Sequence, residues 1–293
     1  MTGVTASPGT HRALSNGEIA ARFEEVASLL DAQHASQYRV QAWRGGAATL
    51  RRTARPVADI VDAEGLDGLE ALPGIGSALA RAARELVDTG TLGMLQRLRG
   101  ESDPLAVLAS VPGVGPALAR RVHDELDVET LEALEAAAND GRLEHVRGFG
   151  AKRVAGIRDS LATRLRRRRG SAAVAEPAGP SVDELLDVDR EYRDRADRGD
   201  LPLIAPRRFN PTGEKWLPVL HTTRGDRHYT ALFSNTARAH ELGHTHDWLV
   251  LYYDGRDGEQ QCTIVTAPKG PLKGCRVVRG RERECVTHYH LSS

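Results

Sequence analysis

The stretch "LEALPGIGSALARAARELVDTG", residues 69–90, sets a Pro-Gly-Ile-Gly turn between two helix-like segments. The arrangement recurs in "LASVPGVGPALARRVHDEL", residues 108–126, around Pro112-Gly113-Val114-Gly115-Pro116. A third version, "VRGFGAKRVAGI" at 146–157, keeps Gly148, Phe149 and Gly150 but has Arg147 in place of the proline. Glycine loses more backbone freedom on folding than any other residue, so repeated Gly-apolar-Gly turns need a reason. One reason is close approach of a ligand to the turn backbone. The first amides of the following helix lack intrahelical acceptors, and the positive end of the helix dipole lies behind them. Such a corner suits an anion, and on a nucleic-acid binder the anion is a backbone phosphate. The alternative is a tight helix–helix turn with no ligand; a lone Gly-x-Gly is weak, whereas three copies favour the phosphate reading.

Local charge points the same way. The 293 residues carry 40 basic and 40 acidic side chains, so affinity for a polyanion must come from patches. From Arg147 to Arg169 there are nine basic residues against one acid, Asp159. From Arg39 to Arg55 there are five arginines and no acid. Each run could also be a solvated helix face. Beside the glycine corners, the residues expected to touch DNA are Arg39, Arg44, Gly74, Gly76, Ser77, Arg81, Gly113, Gly115, Arg120, Gly148, Gly150, Lys152 and Arg153.

Composition changes near residue 170. Residues 1–170 hold no cysteine and four aromatics; 171–293 hold all three cysteines and the other nine aromatics. The segment "GSAAVAEPAGPS" reads as a linker. The fold expected is α+β and multidomain: an all-α N-terminal half of helical hairpins, then an α+β C-terminal domain with a mainly antiparallel sheet. The domains are expected at 14–100, 101–169 and 181–293, with 1–13 a flexible N-terminus and 170–180 the linker. In the first, Ile19, Phe23, Val26, Leu29 and Leu30 have helical spacing, with Asn16 as N-cap. In the last, Ser181 and Glu184 form a capping box for a helix ended by Gly199. Strands are expected near 215–222, 227–233, 247–254, 260–267 and 275–279. Short helices are expected near 235–242 and through "RERECVTHYH".

The order of these motifs resembles a known family. "NGEIAARFEEVASLLDAQHASQYRVQAWRGGAATL" followed by "LPGIGSALARAARELVDTGTL" is similar to the N-terminal 8 kDa domain of family X DNA polymerases, and the next two corners resemble the helix-hairpin-helix region that follows it there. The resemblance covers residues 14–165 and implies binding to the backbone of gapped, nicked or duplex DNA without reading sequence. In family members with sugar-phosphate lyase activity, a lysine on the helix after the first hairpin forms a Schiff base. The aligned position here is Ala82, and no lysine precedes Lys152; arginine stays protonated and is no substitute nucleophile. Polymerase activity needs metal-binding aspartates on strands. The candidates Asp187 and Asp189 fall in a helical pattern in which residues two apart diverge.

Beyond 180 the residues speak for themselves. His240, Glu241 and His244 spell H-E-x-x-H, which binds zinc only if one helix persists through both histidines; Gly243 interrupts that helix, so no metal is expected. Cys285 and His288 have ligand-like spacing without a second pair. Arg207, Arg208, His221, Asn235, Arg238, Arg279 and Arg281 could converge on a phosphate or base, or could serve only structure. The leading expectation is a cytoplasmic (nucleoid-associated if bacterial) DNA-binding repair or maintenance protein with no cofactor and no membrane partner, and no polymerase or lyase activity. A metal-dependent nuclease or hydrolase with its site in the C-terminal domain is the alternative, and a protein-binding scaffold a third.

Overall fold

The computed structural model describes residues 14–101, 104–109, 111–126, 128, 131–164, 179–255 and 258–290. The arginines at 166–169, most of the expected linker and the N-terminal 1–13 lie outside the described residues. The chain divides into two compact units between Leu98 and Arg99.

The first unit holds α1 (Asn16–Ala32), α2 (Gln37–Arg52), α3 (Val57–Glu70, broken at Gly65), α4 (Ser77–Thr89) and α5 (Gly93–Leu98). Ser15, not Asn16, caps α1: Glu18 N donates to Ser15 Oγ at 3.3 Å, and Ser15 N donates back to Glu18 Oε2 at 2.8 Å. Asn16 has a longer-range task. Its amide nitrogen donates to the carbonyls of Thr53 and Arg55, and its oxygen accepts from Val57 N, which pins the α2–α3 turn to the start of α1. The core is built around Phe23 and Trp43, edge to face at 4.7 Å.

The second unit begins with helices α6 (Pro104–Ala109), α7 (Pro116–Leu126), α8 (Leu131–Asn139), α9 (Arg142–His145) and α10 (Ala151–Arg164), whose apolar residues form their own core. Its remainder holds α11 (Val182–Asp197), strands β1 (Leu203–Ile204), β2 (Leu217–Arg224) and β3 (Arg227–Phe233), helix α12 (Ala237–Glu241), strands β4 (Leu249–Gly255), β5 (Gly258–Thr266) and β6 (Arg276–Val278), and helix α13 (Glu282–His288). The six strands run in chain order, every neighbouring pair antiparallel. Helix α11 is capped by Ser181 as its sequence indicates, and packs across β2, β3 and β6. The two-residue strand β1 has no counterpart among the expected strands.

Asp187 and Asp189 lie on α11 and face different ways, as helical residues two apart must. Asp187 meets Arg224 near the surface. Asp189, with a side chain only 3% exposed, takes a two-pronged bond from Arg276 at 2.7 and 3.0 Å. The same guanidinium donates to the Asp247 carboxylate and carbonyl, both at 2.8 Å, so one arginine ties α11 to the entry of β4 and to β6. Removing one member of a buried pair strands the other without water, a loss of about 3–5 kcal/mol. Asp189→Ala is expected to lower unfolding stability by about 3 kcal/mol, the low end because Asp247 remains. Urea denaturation checks this, and a loss below about 1 kcal/mol, the range of exposed pairs, would show that the pair does not organise the domain.

Candidate nucleic-acid interface

The three glycine corners share one construction. The residue between the glycines is driven into a core: Ile75 is 3% exposed, Val114 1% and Phe149 4%. Its amide closes a short turn to the carbonyl three residues back, at Leu72, Val111 and Val146 in turn. The first glycine has positive φ each time, 75° at Gly74, 89° at Gly113 and 104° at Gly148, where a side chain would be strained. All six glycines are exposed. A buried apolar peg thus holds the corner down while its glycine backbone stays outside.

The second glycines differ in kind. Gly76, Gly115 and Gly150 lack positive φ, and an added Cβ at any of them would meet nothing within 4 Å. Nothing inside the chain demands glycine there. The absent side chains leave room only for something outside. Gly76 caps α4 with no side-chain bond. Among the described residues no acceptor takes the amides of Gly76, Ser77 and Ala78, of Gly115 and Ala117, or of Gly150, Ala151 and Lys152. Those donors lie at the positive ends of α4, α7 and α10.

The first corner is fastened to α2. Thr49 Oγ1 donates to Pro73 O at 2.8 Å, and Ile75 packs where Gly46 leaves a hollow; a Cβ on Gly46 would lie 2.9 Å from Leu79 Cδ1. The second and third corners lock onto each other. Gly113 faces Arg153 and Ile157 of α10, while Gly148 faces Leu118 and Arg121 of α7, with a Cβ position 2.8 Å from Leu118 Cδ2. Arg121 donates to Arg147 O at 2.8 Å and Arg153 to Gly148 O. Both corners open onto one shallow groove lined by Pro112, Gly113, Gly148, Gly150, Lys152 and Arg153.

The charged residues divide. Arg120 and Lys152 are exposed and without an acidic partner among the described residues, and Arg81 rests on Ser77 Oγ at 3.4 Å. The 39–55 run requires correction. Arg39 is 8% exposed, with Nη2 4.0 Å from Met94 Sδ, so burial keeps it from an outside phosphate. Arg44 pairs with Asp31 at 3.0 Å, and Arg51 and Arg55 pair with Glu24 and Glu64. Bonds from Gln37 and Arg44 hold the Asp31 carboxyl below the ordinary carboxylate range, and the bond from Arg51 does the same for Glu24. A run free of acids along the chain is largely neutralised in space by α1 and α3.

These corners match what is known of other chains. Residues 15–92 match the family model of a helix-hairpin-helix domain, and 105–166 that of a SAM-like helix-hairpin-helix tandem. The N-terminal half carries helix-hairpin-helix domains. Such domains imply DNA binding without sequence reading. Among curated proteins no relative matches the chain.

In the C-terminal domain, H-E-x-x-H does not form one helical face. Helix α12 ends at Glu241 and Gly243 turns with φ 66°, so His240 and His244 part: the first packs on Phe209, the second stacks on Trp248. Among the described residues no three or more His, Cys, Asp or Glu side chains are placed to hold a metal. His221 bonds Thr230, and Arg281 bonds Pro180 O and Glu284, while Arg208 and Asn235 do meet, around His240. No described helix is long and apolar enough to cross a membrane.

The corner geometry separates fold from binding. Gly115→Val is expected to leave stability within about 1 kcal/mol, as for surface substitutions, while weakening DNA binding at least tenfold. Gly148→Val is expected to cost about 2 kcal/mol or more from clash and positive φ. Thermal unfolding beside filter binding reads both. Unchanged DNA affinity in Gly115→Val would remove the glycine corner from the interface.

Proposed function

We propose that this protein binds DNA without sequence specificity and serves in DNA repair or maintenance. It holds the phosphate backbone with main-chain amides at its three Gly-apolar-Gly corners. The observation that carries this reading is the set of second glycines, which the fold does not need and which keep unaccepted amides open to an outside anion. Gly74, Gly76 and Ser77 serve the first corner with Arg81, Gly113 and Gly115 the second with Arg120, and Gly148 and Gly150 the third with Lys152 and Arg153. The working modules in this scheme are residues 14–100, 101–169 and 181–293.

The motif order supports a likeness to the N-terminal region of family X DNA polymerases, with its chemistry missing. Ala82 is a buried core residue in α4 and the first lysine is Lys152, so a Schiff base has no amine there. Asp189 is engaged by Arg276 on a helix, which argues against a two-metal polymerase centre. Three free cysteines favour a cytoplasmic setting.

A gel-shift series with gapped, nicked and intact duplex at several salt concentrations tests the proposal. With about five phosphates neutralised, log K should fall against log salt with a slope of roughly −4 to −5. An affinity independent of salt overturns it. Arg120→Ala with Lys152→Ala should reduce that slope by about 2, whereas alanine at Arg44 and Arg51, already paired with acids, should barely change it. A larger fall for the second pair would place the interface on α2 instead.

A further inference from the structure

The helix-hairpin-helix corners leave the C-terminal domain without a task, and one feature there departs from what its fold requires. In this antiparallel meander the β1–β2 and β3–β4 connections lie at one end of the sheet. The first presents Phe209, 46% exposed and with φ 53°. Left-handed backbone is uncommon for any residue with a side chain and an outlier for a bulky one. An exposed aromatic recovers little by burial. Both features run against stability, yet the loop is held by specific bonds. His240 Nε2 lies 2.6 Å from Asn235 Oδ1, and Asn235 Nδ2 donates to Arg208 O at 3.0 Å. The Asn235 amide thus accepts from the imidazole and donates to the loop carbonyl just before Phe209. The His240 ring lies 4.5 Å from the Phe209 ring, with Trp216 edge-on at 6.3 Å from His240. The Arg208 guanidinium lies over the Phe209 ring, 5.0 Å from its centroid.

The base of the loop is fixed as well. Arg207 N donates to Gly100 O at 2.8 Å, and a Cβ on Gly100 would lie 2.6 Å from Ala205 O. The loop is therefore tied to the segment that leads into α6, the first helix of the tandem.

We propose that Phe209, backed by His240 and preceded in the chain by Arg207 and Arg208, is a stacking platform for an unpaired nucleobase of the DNA. This rests on the DNA-binding reading above and gives it a substrate preference: duplex with an adjoining single-stranded stretch. A π-face accepts any base, in keeping with corners that ignore sequence. Arg208 at the ring and the exposed Arg207 just before it in the chain supply charge for the phosphates beside the stacked base.

The experiment uses the full-length protein with three probes: a blunt duplex, the same duplex bearing a single-stranded tail, and the free single strand, each followed by fluorescence anisotropy. The wild type is expected to bind the tailed duplex roughly tenfold more tightly than the blunt one, the scale of one base–aromatic stack. Phe209→Asn, which suits left-handed backbone, should bind blunt duplex as the wild type does and lose the tail increment. It should melt no lower than the wild type, and Phe209→Tyr should keep the increment. Equal affinity of the wild type for tailed and blunt duplex overturns the proposal, as does an increment that survives in Phe209→Asn. A Phe209→Asn variant that melts well below the wild type overturns it too, by making the ring structural. Blunt duplex bound without an increment sinks this inference alone. No binding to either duplex sinks the DNA reading with it.

Discussion

An apolar side chain pressed inward between two glycines is the contact on which the functional surface depends. Ile75, Val114 and Phe149 are pulled from water, and each such burial contributes about 1.5–3 kcal/mol. That gain holds the corner at a fixed height, with its glycines forced to the outside. The amides left over at the helix starts are then presented by the hydrophobic core itself. Loss of the peg would loosen the corner before any charged residue was touched.

Charge acts at a second level, and its placement is not its order along the chain. Arg44 and Arg51 of α2, and Arg55 just beyond it, are drawn into exposed pairs with acids on α1 and α3, worth little for stability but enough to offset their charge. Cations beside the tandem corners escape such pairing at Arg120 and Lys152, while Arg121 and Arg153 close over the carbonyls of the third corner. Among the described residues, the cations without an acidic partner at Arg120 and Lys152 therefore lie on the helices whose first amides are open.

Much of this was legible in the amino acids. The corners carry a local signature, the helix α11 announces its cap at Ser181, and five of the six strands lie where β-branched and aromatic residues alternate between turns. The helical reading of Asp187 and Asp189 followed from spacing and holds. What escaped depends on distant partners. Asp31, Glu24 and Glu64 reach their arginines only after α1, α2 and α3 assemble, and the same is true of the burial of Arg39 against Met94. Strand β1 is two residues long and has no periodicity to read. Phe209 gives no advance sign, because left-handed backbone at a residue other than glycine leaves no trace in composition.

The reciprocal seating of the second and third corners has a mechanical outcome. Gly113 lies against side chains of α10, and Gly148 is packed tightly on Leu118 of α7, so each turn rests on the helix that starts from the other. The pair behaves as a caliper with fixed jaws. In the proposed binding mode the distance between these two sets of amides is therefore set by the packing of α7 on α10, and the phosphates that fit are those with the same spacing.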